Sequence, residues 1–281
     1  MKNVYLDSAA TTQMRDEVIN RMTSVMKEVY GNPSSTHSFG RSAKSLIEQA
    51  RKTVAGYLNV KASEIIFTSG GTEADNLALN SAVRDLGVKR IITSKIEHHA
   101  VLYTVEQLQD CFDVEVVYVD LDSCGNIDVA QLEKLLNASD KKTLVSLMHV
   151  NNEIGNKLDI KKVGELCKEH HALFHSDCVQ SVGHYDLDFS EIPVDFTAVS
   201  AHKFHGPKGV GFAFIRKNSG LKPLIFGGEQ ERGHRAGTEG VHNIVGLEEA
   251  LKLSLDNLAE EKAYISDLKA HFISKLKAEI P

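Results

Sequence analysis

The sequence has little of what several large protein classes require. Residues 1–7 turn polar too soon for the apolar core of a signal peptide, and no apolar run approaches the length of a membrane span. No basic run stands out, and the formal net charge of −6 would on average repel a phosphate backbone. Internal repeats and low-complexity segments are absent as well. We therefore expect a globular protein that binds neither nucleic acid nor a membrane.

Cysteine is also scarce. The four cysteines are scattered, without a C-x-x-C pair: Cys111, Cys124, Cys167 and Cys178. This pattern argues against a disulfide framework and against a zinc site. It favours a reducing compartment and therefore predicts a cytoplasmic protein.

What is present is the composition of an ordinary globular protein. Hydrophobic residues make up 42% of the chain and charged residues 25%. The 281 residues are enough for one large domain or two modest ones. A chain of this length can bury most of its apolar surface on folding.

From residue 65 onward, short apolar runs alternate with amphipathic stretches. The runs predict strands and the stretches predict helices. The predicted strands are 65–68, 90–94, 114–119, 144–150, 173–177 and 195–200, and the predicted helices are 73–86, 100–109, 128–136, 159–171 and one long helix from Ile244 onward. Such alternation predicts a mostly parallel α/β sheet covered on both faces, with ligands beyond the carboxyl ends of the strands.

Glycines separate the strand 65–68 from the helix that follows it. In Ser69-Gly70-Gly71-Thr72 the glycines let the backbone approach a ligand closely, and Thr72 adds a hydroxyl. The free N–H groups of the helix N-terminus favour an anion such as phosphate. Many α/β turns carry two glycines without any ligand, so this pattern alone leaves both interpretations open.

Polar side chains follow two other strands. His98 can stack on a flat ligand, or His98 and His99 can both be surface or helix-cap residues, and we prefer the latter for His99. Asp177 ends a strand, where a carboxylate faces the ligand crevice and would raise the pKa of a pyridinium. Alternatively, Asp177 caps a following helix, with Gln180 as the other half of a capping box.

A lysine and a threonine complete the candidate residues. Lys203 follows an apolar strand and stands beside His202. Burial there would lower the pKa of its amine and make it a nucleophile for an aldehyde, whereas an exposed loop lysine would be inert. Thr238 ends a glycine-containing stretch that can bind phosphate or form an ordinary turn.

Together these features match the needs of pyridoxal 5′-phosphate (PLP). Its phosphate needs N–H groups and hydroxyls, its ring a flat partner, its pyridine nitrogen a carboxylate, its phenolic oxygen a donor and its aldehyde a lysine. The matching residues, in chain order, are Gly71, Thr72, His98, Asp177, Gln180, Lys203 and Thr238. We therefore predict a PLP enzyme whose cofactor is held on Lys203 as a Schiff base.

These residues lie within longer motifs. The motifs are YLDSAATT (5–12), GNPSS (31–35), FTSGGTE (67–73), HVNNEIG (149–155), AHKFHGPKG (201–209) and ERGHRAGT (231–238). They resemble those of the cysteine desulfurases of the NifS/IscS group, within the aminotransferase class V family of PLP enzymes. The resemblance covers the whole chain.

The resemblance implies a PLP-transferase fold, like that of aspartate aminotransferase. This is an α/β fold with a mostly parallel seven-stranded sheet sandwiched by helices, here with an incomplete small C-terminal domain. Residues 1–12 would be an N-terminal segment associated with the small domain, 13–255 the large PLP-binding domain, and 256–281 the linking helix and the start of the small domain.

The resemblance also implies a role for each site residue. Lys203 and His98 would be catalytic, Lys203 as the cofactor's attachment point and proton-transfer base and His98 stacked on the ring. Asp177 would pair with the pyridine nitrogen. Asn152 and Gln180 would hold the phenolic-oxygen side, with Asn152 also close to the substrate carboxylate. The implied phosphate ligands are Gly71, Thr72, Ser200 and His202, with Thr238 reaching the phosphate of a partner subunit in a homodimer.

The implied reaction removes sulfur from L-cysteine and gives L-alanine. An enzyme cysteine takes the sulfur as a persulfide and passes it to an iron–sulfur scaffold or another acceptor, including those for tRNA thiolation. In the group this cysteine, and an arginine for the substrate carboxylate, lie in the small domain. None of the four cysteines matches that position, and Cys178 is interpreted as structural filling. The chain is therefore expected to bind PLP but to turn over little cysteine, as part of a longer protein.

Three alternatives stay open at this point. A selenocysteine lyase or a class V aminotransferase would share the fold and the cofactor. A PLP-binding scaffold without catalysis is a third, although intact Lys203, Asp177 and His98 argue against an evolved loss of catalysis.

Overall fold

The computed structural model describes residues 3–280. The helices are α1 (Asp16–Glu28), α2 (Ser38–Tyr57), α3 (Gly71–Arg84), α4 (His99–Cys111), α5 (Val129–Asn137), α6 (Ile160–Glu169), α7 (Val241–Asp256) and α8 (Leu258–Glu279). The strands are β1 (Ile65–Thr68), β2 (Arg90–Thr93), β3 (Glu115–Tyr118), β4 (Thr143–Ser146), β5 (Leu173–Asp177), β6 (Phe196–Ser200) and β7 (Gly211–Ile215). Met1, Lys2 and Pro281, which the predicted domain segments include, lie outside the described residues.

The seven strands form one sheet in the order β1-β7-β6-β5-β4-β2-β3. The five strands from β6 to β3 are parallel, and β7 runs antiparallel to both of its neighbours. The prediction of a mostly parallel seven-stranded α/β sheet is therefore confirmed. The six strands predicted from short apolar runs did not include β7.

Helices cover both faces of the sheet, as predicted. Successive side chains on a strand point to opposite faces, so Ile91 and Leu144 pack in the core with α3 and α4, while Ile92 and Val145 pack on the other side. On the face of Ile92 and Val145, α7 lies against α1 and α2. No helix within residues 3–280 is both long and apolar enough to cross a membrane.

Two segment predictions differ from the structure. The predicted strand 144–150 ends at Ser146, although the N–H of Leu147 still donates to the His175 carbonyl at 3.2 Å. Irregular backbone then leads into the loop that follows β4. The single long helix predicted from Ile244 is wrong, because α7 ends at Asp256 and α8 begins at Leu258.

The break between the two helices has a local cause. Asn257 has φ −102° and ψ 11°, and its side-chain Nδ2 donates to the carbonyl of Leu253 at 2.8 Å. An asparagine side chain that bonds nearby backbone competes with the helical ladder. Apolar spacing continues through this point, so periodicity alone did not reveal the break. The division into domains at 12 and 255 stays a prediction.

Candidate active site

A cleft of about 710 Å³ opens where the parallel strands end. Nine of the ten predicted site residues line it: Gly71, Thr72, His98, Asn152, Asp177, Gln180, Ser200, His202 and Lys203. They come from the carboxyl ends of β1, β5 and β6 and from the loops that follow β2 and β4. Because these ends share one edge of the sheet, residues far apart in sequence converge there. Thr238 is exposed and lies outside the cleft, after Gly237 with φ +109°.

The glycine turn between β1 and α3 forms one wall of the cleft. Gly70 has φ +155°, a conformation that side chains disfavour, and Gly71 begins α3. A Cβ built on Gly71 would lie 2.5 Å from Cγ2 of Val179 and 3.8 Å from Cβ of Ser200. The turn therefore brings the N-terminus of α3 against the loop after β5 and the end of β6, as a closely packed anion site requires.

The helix-cap interpretation of His98 is confirmed, whereas its stacking on a ring stays a prediction. It lines the cleft, and it is also the N-cap of α4, because its Nδ1 accepts the N–H of Ala100 at 3.1 Å. This hydrogen bond fixes the ring at the mouth of the cleft. His99 points elsewhere and stacks on Tyr103, with ring centroids 5.0 Å apart and planes at 3°.

Asp177 lies buried at the floor of the cleft. Its Oδ1 accepts the N–H of Val179 at 2.8 Å, and no helix follows it, so the capping-box alternative with Gln180 is wrong. Burial first, and the neighbouring carboxyl of Asp75 second, raise the pKa of Asp177 to about 7. A cationic ligand group at this position would favour its ionised form.

Lys203 is half-buried and faces the cleft, so the interpretation as an exposed loop lysine is wrong. Its Nζ donates to the backbone carbonyls of Ala9 and Ala10, the latter at 3.0 Å. Burial lowers its pKa from the usual 10.5, against the opposing effect of Asp177. A lower pKa increases the share of the neutral amine, which is the nucleophilic form.

The N-terminal residues 9–11 line the cleft beside Lys203, which the sequence did not reveal. Gln180 Nε2 donates to the carbonyl of Ala9 at 2.9 Å, and His202 Nδ1 lies 3.0 Å from Oγ1 of Thr11. Thr12 is buried, and its N–H and its hydroxyl each donate to the carbonyl of His202 at 2.9 Å. Most of these contacts use backbone atoms, so no side-chain pattern could have indicated them.

Three buried ionisable residues near the cleft were also missed. Asp75 on α3 is 1% exposed and contributes to the cleft wall. Glu97 accepts from Ser94 Oγ at 2.8 Å and from the N–H of Met148 at 3.1 Å, and burial raises its pKa to about 8. His175 on β5 is fully buried. The available signal was a charged residue within an apolar element, such as Asp75 between Ala74 and Leu77.

The four cysteines lie outside the cleft wall within residues 3–280. All four are free thiols; Cys111 and Cys124 are exposed, and Cys167 and Cys178 are buried. Burial raises the pKa of Cys178 to about 12, and its side chain belongs to the main core. The interpretation of Cys178 as structural filling is confirmed.

The cleft fits a phosphorylated aromatic aldehyde. It offers a glycine-containing helix N-terminus, a buried carboxylate, an exposed imidazole and a half-buried lysine. These groups match the phosphate, pyridine nitrogen, ring and aldehyde of PLP. The fold and the cleft together fit the class of PLP-dependent enzymes with a mostly parallel α/β sheet.

Comparison with known proteins identifies the family. Residues 4–280 match the aminotransferase class-V family. The chain is 43% identical over 281 residues to the cysteine desulfurase IscS of Dictyoglomus turgidum. The alignment covers 99% of this chain and 71% of that protein. A solved NifS-like protein superposes with a TM-score of 0.94 at 40% identity, covering 99% of this chain and 76% of that one. A structure described as SspA in complex with cysteine superposes with a TM-score of 0.84 at 37% identity, covering 89% of this chain and 72% of that one.

The chain therefore belongs to the aminotransferase class-V family, in its cysteine desulfurase group. It has the fold of these PLP enzymes, and PLP is its cofactor. The family and the fold expected from the motifs are thus confirmed.

Proposed function

We propose that this protein removes sulfur from L-cysteine with the help of PLP and leaves L-alanine. The observation that carries the proposal is the half-buried Lys203 beside the buried Asp177 in one cleft. Relatives named cysteine desulfurase IscS support the choice of reaction. The similar structure described as containing cysteine supports the choice of substrate.

The cleft residues would hold the cofactor as follows. Phosphate would lie on the glycine turn, held by Gly71, Thr72, Ser200 and His202. The ring would lie against His98, and its nitrogen would face Asp177. Asn152 and Gln180 would serve its phenolic-oxygen side, which agrees with the position of both residues on the cleft wall.

The chain's own residues would then direct the chemistry. PLP, when bound, supplies an aldehyde that takes up amino acids and a ring that withdraws electrons. Lys203, whose pKa burial lowers, would take the proton from the substrate Cα. Asp177 would keep the ring nitrogen protonated, and His98 and Asn152 would orient the substrate beside Lys203.

A thiolate, which none of the cleft residues named above supplies, would accept the sulfur. The C–S bond of cysteine breaks, a new S–S bond forms on the accepting thiolate, and the remaining carbon skeleton gains a proton to become alanine. The exposed Cys111 and Cys124 lie away from the cleft wall, and Cys167 and Cys178 are buried. We therefore propose that the acceptor is a thiol other than these four, which passes sulfur to an iron–sulfur scaffold or a similar protein.

Free thiols at all four positions support a reducing cytoplasm.

Borohydride reduction tests the central role of Lys203. We expect the purified protein to be yellow, and peptide mass mapping after reduction should find PLP attached to Lys203. Added L-cysteine should change the visible spectrum, because its amine would take the place of Lys203 on the cofactor. Lys203→Ala should lose the attachment, whereas Lys208→Ala, which removes another lysine of the cleft wall, should keep it. A protein that stays colourless with added PLP would refute the proposal.

A homodimer is part of the same proposal. Thr238 is exposed, and large apolar side chains are exposed on the same chain, among them Tyr30 at 76% and Phe226 at 75%. A second copy would cover such side chains and bring its own Thr238 to the phosphate. Sedimentation should find a dimer, and Thr238→Ala should weaken PLP binding while keeping the fold. A monomer that binds PLP tightly would contradict a shared site.

A further inference from the structure

Asp75, His175 and Ser146 form a buried row behind Asp177. His175 and Asp177 are two residues apart on β5 and therefore point to the same face of the sheet. Ser146 on β4 pairs with His175 across the ladder. Asp75 reaches the row from α3, which packs on this face. Asp75, His175 and Ser146 are at most 1% exposed.

Two atoms in the row lack any other partner. Asp75 Oδ1 and His175 Nε2 are buried, and neither has a hydrogen-bond partner within residues 3–280. These same two atoms lie 3.3 Å apart. The other ring nitrogen of His175, Nδ1, lies 2.9 Å from Oγ of Ser146. Because buried polar atoms are rarely left unpaired, one proton between Asp75 and His175 satisfies both.

The position of that proton decides the charge of the row. If Nε2 of His175 carries it, Asp75 is an ionised carboxylate buried without a full cation. If Asp75 carries it, both residues are neutral and Nδ1–H of His175 donates to Ser146. Burial raises the pKa of Asp75 well above its usual value and lowers the pKa of His175 to about 4. The raised pKa of Asp75 favours the neutral arrangement, which avoids the desolvation of a charge. The lowered pKa of His175 disfavours an imidazolium in either arrangement.

We propose that Asp75 and His175 are positioning residues for Asp177: Asp75 keeps a proton that it donates to His175 Nε2, His175 donates from Nδ1 to Ser146, and Asp177 is left to ionise. The role toward the cofactor rests on the proposed function, whereas the hydrogen-bonded row belongs to the protein itself.

The consequence for Asp177 is electrostatic. Asp75 faces it from α3, His98 from the start of α4, His175 from its own strand and Lys203 from the cleft, and Glu97 lies nearby. A charged Asp75 would oppose ionisation of Asp177, because two like charges at one site raise each other's pKa. A protonated Asp75 removes this opposition while it still fixes the ring of His175 beneath the cleft.

Nitrogen NMR of the full chain tests the row directly, with and without PLP. Two-bond ¹⁵N–¹H spectra distinguish the neutral tautomers and the charged form of each histidine. The His175 signal, identified by its loss in His175→Gln or by its change in Asp75→Asn, should be the neutral Nδ1–H tautomer from about pH 5.5 to 8. The Nε2–H tautomer or a doubly protonated ring at neutral pH would overturn the proposal.

Two substitutions of Asp75 test its role toward Asp177. Asp75→Asn keeps the shape and can still donate to His175, so PLP affinity by equilibrium dialysis and the pH midpoint of the visible absorbance should stay close to the wild type. Asp75→Ala leaves His175 Nε2 unpaired, and PLP affinity should fall about tenfold. A shift of about one pH unit in Asp75→Asn would show that a charge was removed. Equal behaviour of the two variants would also refute the role.

These outcomes separate the inference from the proposed function. If the wild type does not bind PLP, the proposed function fails, while the histidine spectra still test the row. If PLP binds on Lys203 but His175 shows the wrong tautomer, only the inference fails.

Discussion

At the scale of single residues, the shape of the cleft depends on Gly71, which has no side chain, as well as on the reactive residues. Gly71 sits where α3 meets the loop after β5, and even a methyl group there would lie 2.5 Å from Val179. Val179 itself lines the cleft. The glycine therefore allows the helix N-terminus to approach the position proposed for phosphate.

Substitution of Gly71 tests this close approach. Gly71→Ala should push Val179 into the cleft and lower PLP affinity about tenfold, measured by equilibrium dialysis. The second change Val179→Ala should restore much of that affinity. Gly56→Ala in α2 is the matched control, because its added Cβ meets no atom within 4 Å. We expect it to stabilise the fold by up to about 1 kcal/mol and to leave PLP binding unchanged.

At the scale of elements, one buried ion pair connects parts of the chain that are distant in sequence. Arg51 on α2 donates to both carboxylate oxygens of Glu231, at 2.6 and 2.9 Å, and to the carbonyl of Ile65 at 2.7 Å. Glu231 also accepts the N–H of Phe67 on β1 at 2.8 Å. The pair therefore holds the segment 230–238, which carries Thr238, against the edge of the sheet.

Breaking this pair should be costly. Glu231→Gln leaves the Arg51 charge buried without its carboxylate, and the free energy of unfolding in urea should fall by about 3–5 kcal/mol. Glu48→Gln removes another partner of Arg51, but Glu48 is 36% exposed. This control should lose at most about 1 kcal/mol. Similar losses in the two variants would show that burial of the pair does not matter.

At the scale of the whole molecule, buried ionisable groups connect the stability of the protein to pH. Burial raises the pKa of Asp177 to about 7 and that of Glu97 to about 8, while it lowers the pKa of His149 and of His175 to about 4. Because the ordinary histidine pKa is about 6.5, the histidines are neutral in both folded and unfolded states only above about pH 7.5. The acids still bind protons only in the folded state, so stability should decrease as pH rises toward 8.

Thermal unfolding without PLP at pH 7.5, 8.0 and 8.5 checks this dependence. The wild type should melt at progressively lower temperatures. Glu97→Gln should reduce the slope, because a neutral amide accepts the same bonds from Ser94 and Met148 without ionising. Glu133→Gln changes an exposed residue of α5 and should keep the wild-type slope. An unchanged slope in Glu97→Gln would mean that Glu97 does not release its proton in this range.

Much of the site followed from local patterns. The strand 65–68, its glycine turn and the strand that ends at Asp177 were predicted at the positions the structure gives them. Strands of a parallel sheet end at one edge, so residues placed at those ends must meet. That rule, together with the motifs, was sufficient to predict nine of the residues around the cleft.

The tertiary structure decided what depends on contacts between distant segments. The carbonyls of Ala9 and Ala10 at Lys203, the pairing of Arg51 with Glu231 and the meeting of Asp75 with His175 join residues that share no periodicity. The sequence by itself determined six of the seven strands in their order along the chain, the cofactor chemistry at the strand ends and the family. Only the packed molecule decided which buried charges face each other, because burial and distance shift the pKa of each group away from the ordinary value of its residue type.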